Sequence, residues 1–264
     1  MNDNHHATDS ITFLGTAGAR FMVARQLAAS GGIWLSLGGT EILLDPGPGS
    51  LVHAAKRKLN PERLSAIILS HRHLDHSADT NVMVEAMTDG GFKRHGRLYA
   101  PADALDDEPV LYSYLRDFVE GIDLLEEGHT YTVGSVSFST PLRHIHAVET
   151  YGLVFRSSGR RLAYIADTMY FDGLLEGYAG ADLLIINTVL VEPKPPIKHL
   201  ALTDAAHIIG QLKPRVAILN HFGMGVWKAK PWEVAEQMSA ETGVNVIAAR
   251  DGLKFALSRL DEGS

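Results

Sequence analysis

The chain has 264 residues, 45% of them hydrophobic, and no Pro/Gly/Ser-rich or charge-rich stretch divides it, so a single domain over residues 1–264 is expected. Its 24 basic and 31 acidic residues give a net charge of -7, which disfavours broad attraction to nucleic-acid polyanions. There is no cysteine, which excludes disulfides and thiolate ligands; any metal has to be held by nitrogen and oxygen.

The opening MNDNHHATDS is polar and lacks the apolar core of a signal peptide. No apolar run approaches the roughly 18 residues of a membrane helix. A cytoplasmic protein without membrane association is therefore expected. Ser10–Thr16 alternates and reads as a strand ending at a glycine. Gly32–Leu37 and Glu41–Asp45 read as a hairpin joined by Gly38-Gly39-Thr40. The turn-rich Pro46–Ser50 leads into a helix near Leu51–Leu59. Leu64–Ser70 is short and continuously apolar, the pattern of a strand covered on both faces.

Asn81–Met87 reads as helical and Arg97–Ala100 as a strand. Asp103–Glu120 reads as helix interrupted by Pro109, within a region 88–127 expected to form a helical lid. Its residues Asp106, Asp107, Tyr112, Tyr114 and Phe118 suit either a lid or ordinary core and surface. Tyr131–Leu142, Tyr151–Arg156 and Arg161–Ala166 read as strands, Phe171–Tyr178 as a short helix and Asp182–Asn187 as a buried strand. Thr203–Leu212 reads as a helix capped by Thr203. Val216–Asn220 reads as a strand, Trp232–Thr242 as a helix and Val244–Ala248 as a strand. Strands followed by helices, twice over, predict an α/β fold of two packed sheets with helices outside.

The chemistry concentrates in Ser70-His71-Arg72-His73-Leu74-Asp75-His76. Four candidate ligands fall within six residues, at the end of a buried strand, where α/β active sites collect. On an extended segment His71 and His73 face one side. Asp75 and His76 then point away, which suits a second, adjacent ion. Imidazole with carboxylate suits zinc, iron or manganese.

His71-x-His73-x-Asp75-His76 resembles the signature of the metallo-β-lactamase superfamily. Later elements follow in the expected order: Asp45 in EILLDPG, His146 in HIHAVETYG, Asp167 in YIADT and His221 in AILNHF. His144 and His146 are two apart and either could be the ligand; the spacing to Tyr151-Gly152 favours His146. The resemblance implies a four-layer αββα sandwich and two divalent ions, zinc foremost, with manganese or iron as alternatives. His71, His73 and His146 would hold one ion, Asp75, His76 and His221 the other, and Asp167 would bridge them. A hydroxide shared by the ions would be the nucleophile. Asp45 would orient a ligand from behind. Asp75, besides its ligand role, and His199 are the candidate catalytic residues. His199 resembles the histidine that phosphodiesterase-type members place near the leaving group, though a helix-flanking surface histidine would look the same.

The opening FLGTAG and the HxxxxYG context resemble ribonuclease Z and related phosphodiesterases. His at position 73 argues against flavodiiron oxygen reductases, which usually carry Glu there. Absence of cysteine argues against true β-lactamases with a Cys ligand. Only 20 residues separate His146 from Asp167, too few for the tRNA-gripping arm of many tRNA-processing members. The expected substrate is therefore a small or nucleotide-like diester, with tRNA disfavoured. A lactone, ester or thioester hydrolase on the same metals, and a metal-binding protein of redox or lost catalytic function, remain alternatives. A homo-oligomer is compatible with the sequence.

Overall fold

A computed structural model describes residues 9–262; the polar opening read above for a leader lies outside the described residues up to residue 8. The elements in chain order are β1 Ser10–Phe13, α1 Ala19–Arg25, β2 Ile33–Leu37, β3 Thr40–Leu44, α2 Ser50–Lys56, β4 Leu64–Ile68, α3 Leu74–Ser77, α4 Thr80–Met87, β5 Arg97–Ala100 and β6 Gly121–Leu124. The second half has β7 Thr130–Val133, β8 Val136–Ser139, β9 Leu153–Ser157, β10 Arg160–Ile165, α5 Gly173–Gly177, β11 Leu183–Asn187, α6 Leu202–Leu212, β12 Val216–Asn220, α7 Met224–Lys228, α8 Pro231–Thr242, β13 Asn245–Ala248 and β14 Lys254–Ala256.

The strands form two sheets, ordered β14-β1-β2-β3-β4-β5-β6 and β13-β12-β11-β10-β9-β8-β7. In the first, β3 through β6 run parallel; in the second, β10 through β13 do. The alternation of β11 explains how the layers meet. Leu183 and Ile185 enter the core between the sheets, while Leu184 and Ile186 enter the core beneath the outer helices. With both faces covered, all five of its residues are buried, and each fully buried Leu or Ile contributes about 1.5–3 kcal/mol. A third core joins β4 and β5 to α2 and α4 on the far side of the first sheet. The arrangement is the expected αββα sandwich.

Several expectations are corrected. Asp103–Glu120 is not an α-helix: it holds two short 3-10 turns, Ala102–Ala104 and Ser113–Leu115. Its carbonyls are claimed by side chains rather than by the next helical turn. Arg72 Nη1 donates to the Asp103 carbonyl (3.0 Å), Arg116 Nη2 to that of Leu105 (3.0 Å) and Asn81 Nδ2 to that of Val110 (2.8 Å). These bonds replace the ladder that Pro109 would in any case interrupt. Leu111, Leu115 and Val119 are buried in the same core as residues of β4 and β5, so the segment is anchored there without an α-helix. Tyr131–Leu142 is two strands, because Gly134 turns the chain at φ 56°. Thr203 is not the cap of α6; Ala201 is, and Asp204 accepts a hydrogen bond from the Ala201 N–H at 2.9 Å. The sequence reading did not foresee α1, α3, β6, α7 or β14.

The topology collects the chemistry at one end. Strands β4, β10, β11 and β12 deliver Ser70–His76, Asp167, Asn187 and His221 from their C-terminal ends, the usual place for a site in parallel sheets. The β8–β9 connection brings His144 and His146, and the connection after β11 brings His199. Among the described residues no helix is long and apolar enough to cross a membrane.

Candidate metal centre

Beyond β4 the chain bends at Ser70 and runs without regular structure to His73, which caps α3. Asp75 and His76 lie in the first turn of that helix, which separates them in direction from His71 and His73. Gly47 makes this packing possible, because a Cβ there would collide with the Asp75 carbonyl.

Four donor groups result among the described residues, three of them made only of the predicted ligands. His71, His73 and His146 form one, Asp75, His76 and His221 another, and His71, His76 and Asp167 the group between them; within each, the donor atoms lie within 4.8 Å of one another. His73 Nδ1 and His146 Nε2 face each other at 3.1 Å. Asp75 Oδ2 lies 3.4 Å from His221 Nε2 and 3.9 Å from His76 Nε2. Asp167 reaches both sides: its Oδ2 is 3.9 Å from His71 Nε2 and 3.6 Å from His76 Nε2, and its Oδ1 is 3.4 Å from His221 Nδ1. All seven predicted ligands are thus brought together. His144 is not among them. Its Nε2 pairs with the Tyr178 hydroxyl at 2.7 Å.

Asp45 organises the site from behind. Its Oδ1 accepts from Ser70 N (2.6 Å), and its Oδ2 from Ser70 Oγ (2.7 Å), His76 Nδ1 (3.0 Å) and Tyr164 OH (2.9 Å). Because Ser70 Oγ donates to Asp45, it is free to accept from His71 Nδ1 at 3.0 Å. Both His71 and His76 thereby spend Nδ1 on the support and turn Nε2 inward, the orientation that second partners of ligating histidines impose. His146 Nδ1 is likewise held by the Lys198 carbonyl at 2.9 Å. Asn187 Nδ2 donates to Asp167 Oδ1 (2.9 Å) and to the Tyr164 hydroxyl (3.0 Å).

The charges suit a cation. Burial pushes His71 well below the usual histidine range, with His76 adding to the effect, and burial lowers His73 and His146 too. Burial alone would raise Asp167, but His221, His199 and His76 hold it well below the usual carboxylate range. Asp75 is held low in the same way, by His76 and His221 against its burial. His76 moves the other way: burial opposes its charge, yet Asp167, Asp45 and Asp75 prevail and raise it. Burial and the neighbouring Asp45 keep the Tyr164 phenol protonated, as its donor role requires. The inward nitrogens His71 Nε2 and His76 Nε2, and both nitrogens of His221, are buried without a hydrogen-bond partner. Unpaired buried polar atoms are rare and call for an explanation. A divalent cation is the ligand this nitrogen and oxygen set fits.

His199 Nδ1 lies 3.4 Å from Asp167 Oδ2, and His199 lines a cleft of about 390 Å³ with Ala19, Arg20, His73, Leu74, Asp75 and Asp167. It is close enough to His146 and Asp167 for the three to share an ion as well. The cleft is bordered by α1, not by region 88–127. Sequence reasoning missed Ser70, Tyr164, Asn187 and Lys198. The first and third were signalled only by their positions at the C-terminal ends of apolar strands.

A buried histidine–carboxylate cluster at the mouth of an αββα sandwich defines the class: a fold that holds divalent cations. The chain matches the Beta-lactamase superfamily domain over residues 40–222 and belongs to the metallo-β-lactamase superfamily of metal-dependent hydrolases. It is 32% identical to MJ1374 of Methanocaldococcus jannaschii over 257 residues, covering 94% of each protein. Among solved structures it is similar to YhfI, a metallo-β-lactamase fold protein of Bacillus subtilis (TM-score 0.78, 23% identity, 94% of this chain and 99% of that one). It is also similar to a diphosphatase of the PhnP family (TM-score 0.70, 20% identity, 94% and 97%) and to the short form of human tRNase Z (TM-score 0.69, 18% identity, 94% and 99%).

Proposed function

We propose that this chain is a dinuclear metal-dependent phosphodiesterase acting on a small or nucleotide-like diester. The observation that carries the reading is the pair of facing donor groups joined by Asp167. Held there, two divalent ions, zinc foremost, supply Lewis acidity and an activated water. The chain's own residues do the rest. Asp45, Ser70 and Lys198 hold the ligating histidines in orientation. Asp167 Oδ2 steadies the His199 ring, which lines the cleft and is placed to hydrogen-bond the leaving oxygen.

The phosphodiester preference is supported by the likeness to the PhnP-family diphosphatase and to tRNase Z. Folded tRNA is disfavoured because most of the short His146–Asp167 connection is taken up by the β9–β10 hairpin, which turns at Ser158-Gly159. A net charge of -7 adds no long-range attraction. The test is a parallel assay of bis(p-nitrophenyl) phosphate, a lactone, a thioester and a precursor tRNA on zinc-, manganese- and iron-loaded protein. The diester should turn over, with little or no tRNA cleavage. Lactone or thioester turnover with a silent diester would replace the phosphodiesterase reading. Efficient tRNA processing would contradict the argument from the short hairpin.

A further inference from the structure

We infer that the segment Thr16–Ala19, anchored by Asp251, is a positioning strap for the Asp75–His76–His221 half of the metal centre, an inference that rests on the two-ion reading above. Asp251 lies outside the donor set, on the turn before β14. Its Oδ1 accepts from Thr16 N (3.0 Å) and Thr16 Oγ1 (2.8 Å), and its Oδ2 from Ala29 N (2.7 Å). One exposed carboxylate therefore ties down both ends of the loop that carries α1.

From that anchor the strap runs along Phe222, the neighbour of His221 just past the end of β12. Phe222 N donates to the Thr16 carbonyl (2.9 Å), Gly18 N donates to the Phe222 carbonyl (3.0 Å), and Ala17 forms a parallel bridge with Phe222. Gly18 passes so close to His221 that a Cβ would collide with both its carbonyl oxygen and its Nδ1. The strap ends at Ala19, whose N–H donates to Asp75 Oδ2 at 3.1 Å. That is the oxygen facing His221 Nε2 and His76 Nε2. One continuous backbone segment thus fixes the His221 backbone and the Asp75 carboxylate together.

Two further facts show that the geometry is imposed. Ala19 and His221 both have φ of 59°, a left-handed conformation unfavourable for residues with a Cβ. Such residues persist where the surroundings over-determine them, commonly at functional sites. The strap makes no hydrogen bond to His71, His73 or His146 among the described residues, so its effect falls on one half of the centre.

The test is calorimetric titration of metal-free protein with zinc against a competing chelator, for wild type, Asp251→Ala, Asp251→Asn and Gly18→Ala. Thermal unfolding of each metal-free form checks folding. Wild type should show two binding events. In Asp251→Ala the tighter event should keep its affinity within about twofold, and the second should weaken by about tenfold or more, as when a group supporting a ligand is lost. Asp251→Asn, which keeps one acceptor oxygen, should fall between, and it carries the test if Gly18→Ala does not fold. Adding His73→Ala to Asp251→Ala should abolish the surviving event; adding His221→Ala should not. Two unchanged events in Asp251→Ala would overturn the strap while leaving the two-ion reading intact. Equal weakening of both events would overturn its selectivity. A wild type with one event or none would overturn the two-ion reading and the strap with it.

Discussion

Replacing Asp167 with alanine is expected to lower the hydrolytic rate by more than about a thousandfold, beyond the 10²–10³ typical of a single lost electrostatic donor. The reason is its double reach. Oδ2 faces His71, His76 and His199, while Oδ1 faces His221 and accepts from Asn187. Removing it takes one negative charge from the middle of the histidine cluster and separates the two donor groups. Metal content should fall with the rate. His199→Ala makes the contrast: it should retain both ions and lose about a hundredfold in rate, the lower end of what a positioned donor contributes. Elemental analysis and steady-state kinetics on both variants check this. If Asp167→Ala keeps its metal and its rate, the shared role assigned to this carboxylate is wrong.

Asp45→Ala should have the largest effect on stability of any change behind the site. Its carboxylate takes four hydrogen bonds from three buried residues, Ser70, His76 and Tyr164. An alanine leaves those donors unpaired in a water-poor interior, at about 1–3 kcal/mol each. The expected loss is therefore about 3 kcal/mol or more, read from chemical denaturation of the metal-free protein. Metal affinity should drop by about 10- to 100-fold, because His76 loses the contact that aims its Nε2 inward and His71 loses the support behind its Ser70 partner. Asp45 also sits at φ 51°, where asparagine is tolerated far better than alanine. Asp45→Asn should therefore retain more stability while still failing to accept every bond. A variant within about 1 kcal/mol of wild type would show that the four bonds do not support the fold.

The residues of the centre were legible where the signal was local. His71, His73, Asp75 and His76 lie within one short stretch after an apolar strand, and the structure gathers them with His146, Asp167 and His221. The layered architecture was legible for a similar reason: Ala66–Leu69, from β4 onward, and Leu183–Ile186 in β11 are short runs of consecutive apolar residues, the pattern of a strand covered on both faces. What was not legible depends on partners far away in sequence. Asp251 meets Thr16 across 235 positions. Residues 103–120 lack an α-helix because Arg72, Asn81 and Arg116 take their carbonyls, a bonding pattern no periodicity reveals. Between His144 and His146 the spacing to Tyr151-Gly152 favoured His146, the ring that the structure brings to the cluster, but it did not reveal the contacts that separate them. The difference lies in which ring meets Tyr178 and which meets His73.

The most direct test of the two-cation account is the metal content of the purified protein after removal of its ions and mild reconstitution with zinc. Elemental analysis should find two ions per chain, because the donors exceed what one ion can use and divide into facing groups about Asp167. A chain that takes up no ion, or reproducibly only one, would contradict the account.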